Sequence, residues 1–270
     1  MKRLALTCAL LSLTSAAWGR APTPDEILAR VGFEQRLDAP LPPDLQLKDS
    51  AGHPVVLGTV FGQVPVILML AWYSCPNVCS VELRDLADSL KQLRLRPGKD
   101  YRVVTVSIDP RDGTQQAADT RDLLLGQYGS EALARGLHVL TADESTVRTL
   151  AQAVGYRYAY DARIDQYAHP TGIVVLTAAG RVSRYLFGLR FPQDTLRKAL
   201  VQAGAGRIGS LVEYVITCCY GFDPHTGRYT LSILLIMKYL GIGFLALILG
   251  LLLWLTRGRR ALHIRQENGR

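Results

Sequence analysis

Hydrophobic residues along this chain alternate between the spacing of strands and the spacing of helices. Asp44 to Leu57 sets Leu45, Leu47, Val55 and Leu57 around a Ser50-Ala51-Gly52 turn, which predicts a hairpin. Val64 to Tyr73 (VPVILMLAWY) is a near-continuous apolar run, the signature of a central strand buried on both faces, and it leads straight into Cys75. From Ser80 onward Leu83, Leu86, Leu90 and Leu93 form the stripe of an amphipathic helix that ends by Pro97-Gly98. Tyr101 to Ile108 returns to strand character, and Gln115 to Tyr128 reads as a second helix. Leu137 to Leu140, Thr146 to Val154, Gly172 to Leu176, Val182 to Phe187 and Gln193 to Ala203 follow as strand, helix, strand, strand and helix. Helical crossovers between strands predict a parallel core, and Ala179-Gly180 turns the last two strands into an antiparallel hairpin. The expected fold class is α/β, with a thioredoxin-like order of elements.

Both ends read as targeting segments. Lys2 and Arg3 precede the apolar run Leu4 to Leu13, and Ser15, Ala16, Ala17 and Gly19 are the small residues of a cleavage site, so 1–19 reads as a secretory signal. Roughly ten apolar residues are too few for an uncleaved anchor, because a bilayer core needs about 20. Tyr239 to Thr256 carries no charge, and Leu231 to Met237 extends it with Lys238 between, so 231–256 is expected to be a transmembrane helix rather than a buried core helix. Tyr239 and Trp254 would lie at the interfaces, and Lys238 would snorkel to the headgroups. Residues 20–43, rich in Pro and Ala, read as an extended lead-in, 44–203 as the folded domain, 204–230 as a juxtamembrane segment and 257–270 as a basic tail.

Net charge is +8 for the 270 residues, but the tail accounts for +4 and Lys2 with Arg3 for +2, leaving +2 for the rest. No basic patch calls for a nucleic-acid partner. The arginines of the tail place it in the cytoplasm by the positive-inside rule, so the domain is expected outside, in the periplasm of a bacterial inner-membrane, single-pass protein. Cys8 leaves with the signal, and two close pairs remain: Cys75 with Cys79, and Cys218 with Cys219.

Trp72-Tyr73-Ser74-Cys75-Pro76-Asn77-Val78-Cys79 falls where a strand ends and a helix begins. Unpaired amides and the macrodipole at a helix start favour thiolate over thiol. Three intervening residues let two sulfurs lie one turn apart on one face, which suits a two-thiolate clamp. Soft thiolates select Cu(I) or Zn(II), and His169, just before Pro170 and the strand 172–176, is the candidate third ligand. A plain disulfide for the cysteines and a hydrogen-bonded loop histidine for His169 are the other readings.

The sequence resembles the Sco (SenC-like) family, which assists assembly of the copper A centre of cytochrome c oxidase. The resemblance covers Leu45 to Tyr229 and is carried by Cys75-Pro76-Asn77-Val78-Cys79, Val106 to Asp112 (VSIDPRD), Leu140 to Glu144 (LTADE), Tyr167-Ala168-His169-Pro170, Ser183 to Gly188 (SRYLFG) and Tyr220 to Tyr229. The last of these is similar to a subgroup with a C-terminal membrane helix. The resemblance implies a metallochaperone that holds copper, as Cu(I) or Cu(II), on Cys75, Cys79 and His169. It implies as partners the copper A subunit, other copper chaperones or thiol reductants, and the membrane. Asp109 could tune the metal or cap the turn at Pro110. Gly221 stands where a histidine between two aromatics is expected, and Cys218 and Cys219 could pass copper or simply lie on an amphipathic helix. His53, His138, His225 and His263 have no partner that the sequence identifies.

A second function uses the same two cysteines: a thiol-disulfide oxidoreductase that keeps oxidase cysteines reduced. The usual redox motif has two intervening residues rather than three, and thiol exchange does not require His169. A peroxidase lacks an evident acid-base set, and with only Met69 and Met237 in the mature chain a methionine-rich copper site is excluded.

Overall fold

The computed structural model describes residues 23–75, 79–209, 222–223, 228–229 and 238–249; at 79–80, 222–223 and 228–229 it describes the backbone alone. The expected signal peptide, Cys218, Cys219, Gly221, His225, His263 and the basic tail lie outside the described residues. The chain divides into two units, 1–208 and 209–270.

The first unit is built on a mixed sheet. Its strands are β1 (Gly32–Phe33), β2 (Gln46–Asp49), β3 (Pro54–Val56), β4 (Val66–Ala71), β5 (Arg102–Ser107), β6 (Leu137–Thr141), β7 (Tyr156–Arg157), β8 (Ala159–Asp161), β9 (Gln166–Ala168), β10 (Gly172–Leu176) and β11 (Val182–Phe187). The helices are α1 (Pro24–Leu28), α2 (Cys79–Gln92), α3 (Thr114–Tyr128), α4 (Glu144–Ala153) and α5 (Gln193–Gly204). Seven strands pair in the order β11-β10-β4-β5-β6-β2-β3. The parallel core is narrower than the pattern of crossovers predicted: β4, β5 and β6 run parallel, while β10 joins β4 antiparallel with Val174 opposite Leu68. The predicted hairpin at Ala179-Gly180 forms between β10 and β11.

Alternation along β4 feeds two cores. Ile67, Met69 and Ala71 face the leucine stripe of α2, with Leu124 of α3 and Leu196 and Leu200 of α5. Val66, Leu68, Leu70 and Trp72 face Val147 and Leu150 of α4 on the other side. The stripe read from the sequence is the buried one, with Leu86 and Leu90 fully buried, and each such leucine contributes about 1.5–3 kcal/mol on leaving water. Asp143 caps α4 by accepting the Thr146 amide at 2.8 Å.

The segment 20–43, expected to be an extended lead-in, departs from that reading. Thr23 and Glu26 form a capping box that starts α1, β1 pairs antiparallel with β7, and Leu41 is buried against the second core. Short segments of this kind carry too few residues to show a period, so pairing with β7 was invisible until the fold supplied the partner strand.

In the second unit, residues 222–223 pair with 228–229 as a two-stranded ladder, and 238–249 is helical. Among the described residues no helix is long and apolar enough to cross a membrane. The remainder of the predicted span 231–256 lies outside the described residues.

Candidate metal centre

The predicted site sits at the carboxyl end of β4. Cys75 follows that strand in a tight bend in which its amide donates to Trp72 O at 3.3 Å, and its side chain is half-buried against the second core. Two carboxylates hold this bend. Asp112 accepts the Tyr73 amide at 3.1 Å, together with the hydroxyls of Ser74 and Ser107. Asp109 accepts the Trp72 indole N–H at 3.1 Å. The backbone of Cys79 opens α2, as the sequence implied; its side chain lies outside the described residues.

His169 lies between β9 and β10, and the antiparallel register of β10 on β4 carries this loop to the end of β4 that leads into Cys75. Tyr156 fixes the ring: its hydroxyl is 3.1 Å from His169 Nδ1, 3.1 Å from Leu70 O and 3.2 Å from Pro170 O. Nδ1 is also 3.2 Å from Pro170 O. A carbonyl oxygen only accepts, so the Pro170 contact is a hydrogen bond in the tautomer that carries its proton on Nδ1, which is the one that leaves a lone pair on Nε2. Proteins that bind metal through a histidine commonly hold its other ring nitrogen with a hydrogen-bond partner, and the surroundings of His169 Nδ1 are compatible with that arrangement. Among the described residues, no three of His, Cys, Asp and Glu stand together as a metal-holding group. The structure thus brings Cys75 and the His169 loop to one end of β4, and the Cys79 thiol lies outside the described residues.

Asp109 takes the turn-capping role. Its Oδ1 accepts the Arg111 amide at 2.9 Å, and the Arg111 guanidinium clamps both oxygens while its far end reaches Asp165 at 2.8 Å. With the indole of Trp72 added, the lone pairs of Asp109 are committed to fixed donors. His53 pairs with Asp49 at 3.2 Å, and His138 is partly buried on β6, where burial and then the Arg102 charge lower its pKa.

Sequence reasoning missed Glu82, Asp112 and Tyr156. Glu82, in the first turn of α2, is 1% exposed and accepts the Gly172 amide at 2.9 Å. Burial pushes its pKa up to about 8; the Gly172 bond opposes that, and negative charge at Cys75 adds to it. The signal was present, since Glu82 falls four residues before Leu86 on the apolar stripe of α2.

Fold and site together define a mixed α/β, thioredoxin-like domain presenting a cysteine and a hydrogen-bonded histidine at one strand end. The family model SCO1/SenC matches residues 34–203, and the chain belongs to that family. A crystal structure from Aquifex aeolicus VF5, named for electron transfer, shares 25% identity with a TM-score of 0.55, over 63% of this chain and 95% of that one. Arabidopsis thaliana ScoI, solved with copper bound, shares 21% identity with a TM-score of 0.47, over 63% of this chain and 99% of that one. BsSco, described with a disulfide switch and as a member of the Sco family of cytochrome c oxidase assembly proteins, shares 18% with a TM-score of 0.49, over 65% and 97%. No curated protein matches the chain.

Proposed function

We propose that this chain is a membrane-anchored copper metallochaperone that carries copper on Cys75, Cys79 and His169 and delivers it to the copper A subunit of cytochrome c oxidase. The observation that carries this reading is the placement of His169 at the end of β4 that leads into Cys75, with its Nδ1 held 3.1 Å from the Tyr156 hydroxyl and 3.2 Å from Pro170 O. Two soft thiolates and one imidazole nitrogen make a three-coordinate set suited to Cu(I). Membership of the SCO1/SenC family supports it, and copper is what the Arabidopsis relative holds. The purified full chain should bind one Cu(I), and Cys75→Ala should abolish stoichiometric binding; a Cys75→Ala protein that still titrates to one Cu(I) sinks the assignment.

In the same reading the domain is periplasmic and 231–256 is its inner-membrane anchor, supported by the uncharged run Tyr239 to Thr256 and the arginines behind it. Reporter fusions check this: an export-dependent enzyme should be active when fused after Gly204 and silent after Arg270. The reverse pattern overturns the topology.

The thiol-disulfide oxidoreductase is retained as a second reading because Asp112 and Asp109 hold the bend at Cys75 through protein groups alone, and thiol exchange needs only the cysteines. Copper loading needs a partner whose thiols are reduced, so the two activities can share one site.

A further inference from the structure

Glu82 is buried where a carboxyl is costly, and ligation by two thiols and an imidazole leaves it without a task. One oxygen accepts the Gly172 amide, and the other has no hydrogen-bond partner among the described residues. Leaving a buried acceptor unsatisfied is costly, so the bond it does make is where a role is to be sought. That bond crosses 90 positions of sequence. It joins the first turn of α2, three residues after Cys79, to the first residue of β10, three residues after His169. Gly172 is itself a fixed point: its φ is +151°, and a Cβ there would lie 2.7 Å from Leu186 O. Its register partner on β11 is Phe187, and its amide goes to Glu82 rather than to β4, whose pairing with β10 begins at Val174.

We infer that Glu82 is a positioning residue of the metal centre: through the Gly172 amide it sets the His169 loop against the helix that carries Cys79, so that the imidazole stands ready before metal arrives. This rests on the copper-ligand reading above. A ligand held in advance loses less freedom on binding, which converts a structural bond into metal affinity. Glu82 needs only an acceptor oxygen of the right reach to do this, so its amide analogue should serve.

The test uses the full chain, with Cu(I) affinity measured by competition with bicinchoninate and with amide exchange at Gly172 followed by NMR in the metal-free protein. Glu82→Gln should hold affinity within about 3-fold and keep the Gly172 amide protected, whereas Glu82→Leu should free that amide and weaken Cu(I) binding by about tenfold or more. In a His169→Ala background, Glu82→Leu should cost less than about 2-fold, because the ligand it positions is gone. Glu82→Met replaces Glu82→Leu if the branched side chain does not fold. Equal losses in both backgrounds overturn the inference, as does a freed Gly172 amide in any folded Glu82 variant with parental affinity. Those results leave the copper reading standing. Parental affinity in His169→Ala alone removes that reading, and the positioning role with it.

Discussion

In cells lacking the endogenous protein, a His169→Ala chain should keep its fold and its thiol chemistry yet fail to restore copper A to the oxidase. The imidazole separates the two functions because disulfide exchange consumes only the thiols of Cys75 and Cys79, whose two protons and two electrons pass to the partner's disulfide as their own S–S bond forms and that one breaks. Copper retention needs the third donor. Removing an outer-shell partner of a metal ligand costs 10–100-fold in affinity, so removing the ligand itself should cost more than about 100-fold. Fold should survive, because Tyr156 keeps its bonds to Leu70 O and Pro170 O when the ring is gone. Excess copper should restore part of the activity by mass action. The measurement is copper A content at limiting copper. Full restoration by His169→Ala, with none from Cys75→Ser, would show that the thiols act as a reductant and would overturn delivery as the main role.

Gly155→Ala should be among the most damaging single-methyl changes available in the domain. Gly155 closes the turn between α4 and β7 with φ +61°, and its carbonyl accepts the Glu34 amide at 2.7 Å. A Cβ there would lie 1.8 Å from Glu34 O, a backbone atom that cannot swing aside. The left-handed conformation alone costs a side chain about 1–2 kcal/mol, and separating the two backbones adds loss of the β1 contact. A total near 3 kcal/mol corresponds to a fall in Tm of roughly 6–12 °C for a domain of this size. The next residue is Tyr156, so copper binding should fall with stability. Gly126→Ala is the control: it lies within α3 with nothing within 4 Å of its Cβ, and should be neutral or gain up to about 1 kcal/mol. Equal Tm values for the two variants would refute the clash.

Local pattern determined much of this protein. The run Val64 to Tyr73 could only be a strand buried on both faces, and the Leu83, Leu86, Leu90 and Leu93 stripe only a helix laid on it, because burial imposes the periods 2 and 3.6 on the residues themselves. The positions of Cys75 and Cys79 at a strand-to-helix junction, the hairpin at Ala179-Gly180 and the family were readable from the same line of residues. What the sequence could not decide is which edges meet. That β10 joins β4 antiparallel, and so brings His169 to the end of β4, depends on pairing between strands about 100 positions apart, which leaves no local period. The same holds for β1 against β7, and for Tyr156 reaching Leu70 O and His169 from a two-residue strand. Glu82 marks the limit most sharply: its place four residues before Leu86 on the stripe of α2 signals burial, but nothing in the line of residues says which donor its carboxyl meets. Only the tertiary fold, which brings the first turn of α2 to the start of β10, removes its water and gives its carboxyl an amide to hold.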